Sequence, residues 1–136
     1  MAKHADRHRP IAFIGVGSVA ALVHWLVVLV FVDSRTLAPL PANVAGWSVA
    51  FVVSFVGHHR FTFGAQRAPL ARAAVRFFAL SASGFALNQL AFAGLLYWAG
   101  WRYELALAAV LLTVAVATYL AGRHWAFLGT AAHRRH

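Results

Sequence analysis

The sequence predicts an all-α polytopic membrane protein in which four transmembrane helices form two helical hairpins. Hydrophobic residues make up 62% of the 136 residues, only 11% are charged, and the charges stand between long apolar runs. A soluble domain has about a quarter of its residues charged, so a bilayer is the expected solvent. The length fits one domain over residues 1–136, and the lack of cysteine excludes disulfides and thiolate metal sites.

Four apolar runs are long enough to cross a membrane, since a helix needs about 20 apolar residues to span a hydrocarbon core of ~30 Å. They predict spans at about 10–32, 41–58, 76–100 and 103–122. The first run is too long for the core of a signal peptide and lacks a small-residue cleavage site, so we expect a membrane helix there. Pro41 is well placed to begin the second span.

The positive charges predict the orientation of these spans. Arg35 and Arg102 lie on one side, where Asp33 and Glu104 are expected to balance them. The other side carries ten basic residues: Lys3, Arg7, Arg9, Arg60, Arg67, Arg72, Arg76, Arg123, Arg134 and Arg135. The positive-inside rule places both termini and the middle loop in the cytoplasm of an inner-membrane protein. Because topology accounts for the net charge of +9, we expect no nucleic-acid partner.

The two hairpins resemble each other in sequence. A shift of 64 residues lays Ser54–Phe63 over Thr118–Phe127, each with a hydroxyl, an aromatic residue, a basic cluster and a final Phe. The same shift lays His24 over Asn88, two polar residues inside apolar spans. Chance similarity among apolar sequences is the alternative, but the matched basic and aromatic ends favour a duplicated hairpin. Since each unit has two spans, the copies are parallel repeats.

The ends of the hairpins also resemble the GtrA-like family of small four-helix membrane proteins. In that family the second and fourth helices end in a pattern close to Asn-Arg-x-Trp-x-Phe. Here His58–Phe63 reads HHRFTF and Gly122–Phe127 reads GRHWAF, and Phe13–Gly17 near the start of the first span is also similar. The resemblance runs from about Arg9 to Phe127.

This resemblance implies work on polyprenyl-phosphate-linked sugars in the building of cell-surface polysaccharides. The implied role is a flippase that moves a lipid-linked monosaccharide, such as an undecaprenyl-phosphate sugar, from the cytoplasmic to the outer leaflet of a bacterial inner membrane. The alternative is a non-transporting anchor or recruiter of a polyprenyl-phosphate glycosyltransferase. A proton-coupled exporter of cationic drugs is disfavoured because none of the three acids lies deep in a predicted span.

A lipid phosphate needs hydrogen-bond donors at the membrane surface, and the planar guanidinium of Arg matches phosphate oxygens. Arg60 and Arg123 end equivalent helices, with His58, His59 and His124 beside them. These five residues are the candidate phosphate-binding set. The alternative interpretation is that they are ordinary topology signals and interface anchors.

A sugar crossing the bilayer needs polar groups along its path, and polar side chains inside a membrane are costly to keep there. The candidates for a sugar path are His24, Asn43, Ser54, Asn88, Gln89 and Thr118. The alternative is hydrogen bonding between helices, which contributes about 0.6 kcal/mol per pair. Both interpretations stay open at this stage.

Small residues in the spans predict close approach of helices, and the candidates are Gly15, Gly17, Ser18, Ser81, Ser83, Gly84 and Gly122. Because four short helices enclose little space, a homodimer or a side groove open to lipid is a further hypothesis. The sequence offers no nucleophile–base set, no paired carboxylates and no glycine-rich phosphate loop, so we expect no enzyme activity, no cofactor and no metal. The expected partners are the lipid-linked sugar, membrane lipid and a glycosyltransferase.

Overall fold

The fold is a bundle of four α-helices. The computed structural model describes residues 5–62 and 70–128, with side chains described over 11–60, at 71, over 74–117 and at 120. The helices are α1 (Ala5–Asp33), α2 (Pro39–Gly57), α3 (Leu70–Tyr97) and α4 (Tyr103–Leu128), and a π-helical turn, His58–Thr62, continues α2. No strand occurs within these two ranges. The prediction of an all-α membrane protein is confirmed.

The helices have the length and composition of membrane spans. Within the described residues, Ile11–Asp33, Pro39–Arg60 and Ala74–Tyr97 are long and apolar enough to cross a bilayer, and α4 contributes the shorter apolar stretch Tyr103–Ala117. The whole of α4 has 26 residues and is therefore about 39 Å long. The chain is a multi-pass membrane protein, and its sidedness stays a prediction from the charges.

Several helix ends differ from the predicted spans, and two of these differences have a clear local cause. Helix α2 begins at Pro39 rather than Pro41, because Ala38 is extended and a proline is accepted in the first helical turn. Helix α3 ends at Tyr97, short of the predicted limit at residue 100. The chain turns there through Gly100, which has a φ of 66°, and the Trp101 N–H donates to the Leu95 carbonyl at 3.0 Å.

The loops that join the helices of the two hairpins are also related by the 64-residue shift. Helices α1 and α3 end 64 residues apart, at 33 and 97, and α2 and α4 begin 64 residues apart, at 39 and 103. Each loop therefore has five residues. Each also contains a residue with a positive φ, which is Arg35 at 57° in the first loop and Gly100 at 66° in the second. The duplication seen in the sequence is thus repeated in the backbone.

The packed core follows the same symmetry, because five pairs of buried positions are related by the shift. The pairs are His24 with Asn88, Val28 with Phe92, Ala42 with Ala106, Asn43 with Leu107, and Gly46 with Val110. Helix α2 packs against α1 and α3, and α4 packs against α3 and α1. All five pairs lie in the half of the bundle nearer the two five-residue loops, here called the outer half.

Close helix approach occurs at glycines other than those predicted. A Cβ added at Gly46 would lie 2.6 Å from His24 Cδ2 and 2.8 Å from the His24 carbonyl oxygen. One added at Gly57 would lie 2.7 Å from a methyl group of Val16. At Gly15, Gly17 and Gly84 nothing lies within 4 Å of such an atom, so the prediction is wrong there. The sequence shows a small residue but not the direction in which it faces.

We expect Gly46→Ala to destabilise the bundle, because the new methyl group would press on the His24 backbone and overpacking costs about 1–3 kcal/mol. The melting temperature in detergent should fall by about 5 °C. Gly84→Ala is the matched control and should be neutral or stabilising, since alanine favours the helix and meets no neighbour. Equal melting temperatures for the two variants would contradict the packing described here.

Candidate functional site

A hydrogen-bonded polar network joins three helices inside the bundle. Asn43 on α2 lies at its centre: its Oδ1 is 2.7 Å from His24 Nε2, and its Nδ2 donates to Asn88 Oδ1 at 2.9 Å and to Gln89 Oε1 at 2.6 Å. Gln89 Nε2 in turn donates to the Leu40 carbonyl at 3.1 Å. Four of the six candidates for a sugar path therefore form one cluster, here called the Asn43 network.

The Asn43 network is buried and its hydrogen bonds are satisfied. Asn43 is fully buried, and His24 and Asn88 are each 5% exposed. No buried side-chain nitrogen or oxygen in the described part of the chain lacks a partner. Because His24 and Asn88 are repeat equivalents, Asn43 joins the same position of both hairpins. Asn43 itself corresponds to Leu107 in the second hairpin. The side-chain amide that joins the two hairpins is therefore present in the first hairpin and absent at the equivalent position of the second.

A row of aromatic side chains, here called the aromatic wall, lies between α2 and α3. It runs from the Asn43 network toward the inner half of the bundle, which is the half farther from the two five-residue loops. Trp47 stacks on Phe85 with ring centroids 4.7 Å apart, and its Nε1 donates to Ser81 Oγ at 3.0 Å. Phe51 and Phe55 extend the wall along α2 and pack against Phe77. Trp47 therefore lies among these rings.

The predicted phosphate-binding motif begins where α2 changes into the π-helical turn. The His58 N–H donates to the carbonyls of Ser54 and Phe55 at the junction. The extra residue per turn in a π-helix rotates the side chains that follow, and such turns often occur at functional sites. The segment singled out by its sequence is therefore also the one with unusual backbone geometry.

The two histidines of this motif have different surroundings. His58 is buried, with its ring 4.7 Å from that of Phe13 and 5.8 Å from that of Phe77. His59 is exposed and stacks on Phe55. The structure therefore does not bring His58 and His59 together as one exposed cluster, and His58 packs as part of the aromatic wall.

Arg60 is exposed and lines a groove of about 540 Å³ between α1 and α2. The other residues of this inner groove are apolar or small: Gly15, Val16, Val19, Val52, Val53, Val56 and Gly57. The Arg60 guanidinium thus lies at one end of the inner groove, which is otherwise apolar and is open along one side.

A second groove, the outer groove, has a volume of about 610 Å³ and lies between α2 and α3 near the loop ends of the helices. It is lined by Leu37, Leu40, Pro41, Val44, Ala45 and Gln89. Gln89 thereby connects the Asn43 network to a lipid-facing surface. The two grooves lie on opposite flanks of α2, since one borders α1 and the other borders α3.

Polar contacts join α1 and α4 at the outer end. Trp25 Nε1 donates to the Glu104 carbonyl at 3.0 Å, and the Tyr103 hydroxyl donates to Asp33. Glu104 pairs with Arg102 as predicted, and this hydrogen bond raises the pKa of the Arg102 guanidinium. The hydrogen bond to Asp33 comes from Tyr103 and not from Arg35.

For the remaining candidate site residues the structure gives less detail. Ser54 is half-buried on α2. Arg123, His124 and Thr118 belong to α4, but their side chains lie outside the described residues. The roles of the phosphate-binding set and of the sugar path stay predictions.

Comparison with known proteins shows the family. The family model described as "GtrA/DPMS, transmembrane domain" matches residues 12–127, which is most of the chain. The protein belongs to this family. The GtrA-like resemblance seen in the sequence is therefore confirmed, and the match covers both hairpins. Searches of curated proteins and of solved structures found no match.

In this GtrA-like protein, sequence reasoning missed Gly46, Trp25 and the valines of the inner groove. Gly46 has a usable signal, because it lies one turn after Asn43 and so shares a face with that polar residue. Trp25 and Val52 carry none, since an apolar residue in an apolar span does not show whether it faces lipid, a groove or another helix.

We expect Asn43→Leu to lower the melting temperature by about 3–8 °C, because it removes three side-chain hydrogen bonds and leaves His24, Asn88 and Gln89 short of partners. Ser48→Ala is the control on the same helix, since the exposed Ser48 hydroxyl bonds only the carbonyl one turn back. Double-mutant cycles between Asn43 and His24 should give a coupling near 0.6 kcal/mol or more. Additive effects would show that the network has no energetic role.

Proposed function

We propose that this protein is a flippase that moves a polyprenyl-phosphate-linked monosaccharide from the cytoplasmic to the outer leaflet of a bacterial inner membrane. The observation that carries the proposal is the inner groove, where an exposed guanidinium meets an apolar channel open to lipid. Membership of the GtrA/DPMS family supports the same class of substrate. Translocation breaks no covalent bond, so the proposal needs neither a catalytic residue nor a cofactor.

Arg60 is the proposed phosphate anchor. Its planar fork can donate two parallel hydrogen bonds to phosphate oxygens, and such charge-assisted bonds are about twice as strong as neutral ones. No acidic side chain forms an ion pair with it within the described residues, where the one ion pair joins Arg102 and Glu104. The exposed His59 lies beside it in sequence and can add a further donor.

The walls of the inner groove suit an isoprenoid chain. Val52 and Val56 of α2 and Val19 of α1 present branched apolar groups at different heights below Arg60. A chain lying there keeps its contacts with hydrocarbon while its phosphate stays at the surface. The groove is open on its side, so the lipid can enter from the leaflet without passing through water.

The sugar path is proposed to run beside the Asn43 network rather than through its centre. Asn43 and Asn88 are buried and bonded to each other, whereas Gln89 reaches the outer groove. An amide at the edge of a lipid-facing groove can exchange hydrogen bonds with sugar hydroxyls. His24 and Asn43 then support the position of Gln89 from within.

We expect Arg60→Gln to slow transport about tenfold, since one hydrogen bond to a charged group contributes about 1.5 kcal/mol. Arg60→Lys should keep the charge but lose the fork, and so show an intermediate rate. The measurement is the transfer of a labelled polyprenyl-phosphate monosaccharide across the membrane of liposomes that contain the purified protein. Arg35→Gln, an exposed arginine in the opposite loop, is the control and should leave the rate unchanged.

The same assay separates the flippase from the anchor. Purified protein that moves no lipid-linked sugar, yet co-purifies with a glycosyltransferase, would establish the anchor in its place.

We expect Val52→Trp to fill the inner groove and reduce transport at least about fivefold while leaving the fold intact, because Val52 is already exposed to lipid. Val49→Trp is the control, since Val49 is an exposed valine of the same helix that does not line the groove. Transport rate and melting temperature should be measured together. Equal transport by the two variants would remove the groove from the mechanism.

A further inference from the structure

The inner groove has about the height of one leaflet. Along α2 it is lined from Val52 to Arg60, and a separation of eight residues corresponds to about 12 Å at the rise of a helix. Half of a hydrocarbon core of ~30 Å is about 15 Å. The groove therefore begins at the predicted cytoplasmic surface and ends within the inner leaflet.

Beyond that depth α1 and α2 pack too closely to admit a chain. Ala20 and Ala50, the next small residues toward the outer half, are buried. One turn further along each helix, a Cβ added at Gly46 would lie only 2.6 Å from His24 Cδ2. A chain that lies in the inner groove therefore leaves it sideways into the surrounding lipid, because the space between the two helices is closed farther along them.

This height limits how much of a prenyl chain the groove can contact. An isoprene unit adds four carbon–carbon bonds to the chain, or about 5 Å when it is extended. A groove of about 12 Å thus contacts about two or three units. With the phosphate at Arg60, these are the units nearest the phosphate, and the rest of a long polyprenyl chain lies in the bilayer.

The walls of the inner groove favour a methyl-branched chain over a straight one. Val52 and Val56 are one turn apart on α2, or about 6 Å, and Val16 and Val19 are about 4.5 Å apart along α1. Valine side chains are stiff at χ1, so their methyl groups form fixed ridges. The methyl branches of an isoprenoid recur about every 5 Å and can fill the gaps between such ridges. A straight acyl chain leaves those gaps unfilled and loses the corresponding dispersion contacts.

The charge at the end of the groove favours a phosphate that carries a single chain. Arg60 is exposed, and the other residues that line the groove are valines and glycines. In a phospholipid the phosphate leads through glycerol to two acyl chains, and a groove between one pair of helices seats only one of them. A prenyl phosphate has its one chain attached directly to the phosphate, so both parts fit at once.

We propose that the inner groove recognises a prenyl phosphate by its phosphate and by the isoprene units next to it, about two or three in number, without distinguishing longer chains from one another. The inference rests on the proposed function for the role of Arg60. It adds the part of the lipid that is recognised. A farnesyl chain is sufficient, a single isoprene unit is too short, and the methyl branches are needed for tight binding.

The test measures competition for the inner groove in phosphatidylcholine nanodiscs that contain the full chain. Undecaprenyl phosphate with a photoreactive group near its phosphate labels the protein, and mass spectrometry locates the labelled peptides. Competitors are compared at equal mole fractions in the membrane. We expect farnesyl phosphate to compete within about twofold of unmodified undecaprenyl phosphate. Dimethylallyl phosphate and dodecyl phosphate, a straight chain of farnesyl length, should each be at least about fivefold weaker.

Two matched valines of α2 test the role of the walls. Val56 and Val49 are each 43% exposed, but only Val56 lines the inner groove. Val56→Ala should remove the difference between farnesyl and dodecyl phosphate, because the ridge that fits the methyl branches is lost, whereas Val49→Ala should keep it. Arg60→Gln should weaken both competitors by the same factor, since it changes only the contact with the phosphate.

The inference is overturned if dodecyl phosphate or phosphatidylglycerol competes as well as farnesyl phosphate, if affinity continues to rise from farnesyl to undecaprenyl phosphate, or if Val56→Ala keeps the preference for the branched chain. These outcomes are separate from the proposed function. A protein that transports the lipid-linked sugar without this preference rejects the inference alone. A protein that shows the preference but moves no lipid-linked sugar rejects the flippase and keeps the binding site.

Discussion

The hydrogen bonds of Asn43 are the constraint on which the bundle depends. In a bilayer, apolar contact between helices is scarcely preferred to contact with lipid chains, so polar groups and close packing must specify how helices meet. One fully buried amide bonds His24 on α1 and both Asn88 and Gln89 on α3. It thereby fixes the relative rotation of three helices. Gly46, one turn further along α2, permits the close approach that those bonds need.

The duplicated hairpin explains much of the architecture, and its departures from symmetry explain the rest. The outer half is nearly symmetric in loop length, helix ends and buried positions. Where the copies differ, the first hairpin has gained a polar centre, with Asn43 opposite Leu107, and a tight contact at Gly57. In the second hairpin Leu80, the counterpart of Val16, is exposed.

The arrangement of charges and grooves gives the proposed cycle a physical basis. The guanidinium of Arg60 at the predicted cytoplasmic surface favours capture of a phosphate there, whereas the outer groove presents the neutral amide of Gln89. At the outer end, Arg102 is neutralised by Glu104, so its attraction for a phosphate is weakened. This asymmetry favours capture at the inner surface and release at the outer one. In the proposed cycle, net movement would follow consumption of the lipid-linked sugar at the outer surface.

The sequence by itself determined the membrane class, the four helices, the duplication and the family, because these follow from composition, charge placement and repeated motifs. It also named His24, Asn43, Asn88 and Gln89 as polar residues that must find partners. Only the tertiary structure decided that they find each other, that Gly46 and Gly57 rather than Gly15 and Gly17 make the close contacts, and that Arg60 opens onto an apolar groove. The physical reason is that the sequence of an apolar span hardly indicates which face of the helix packs against protein. Lipid and protein neighbours are equally hydrophobic, so the packed face is determined only when the helices meet.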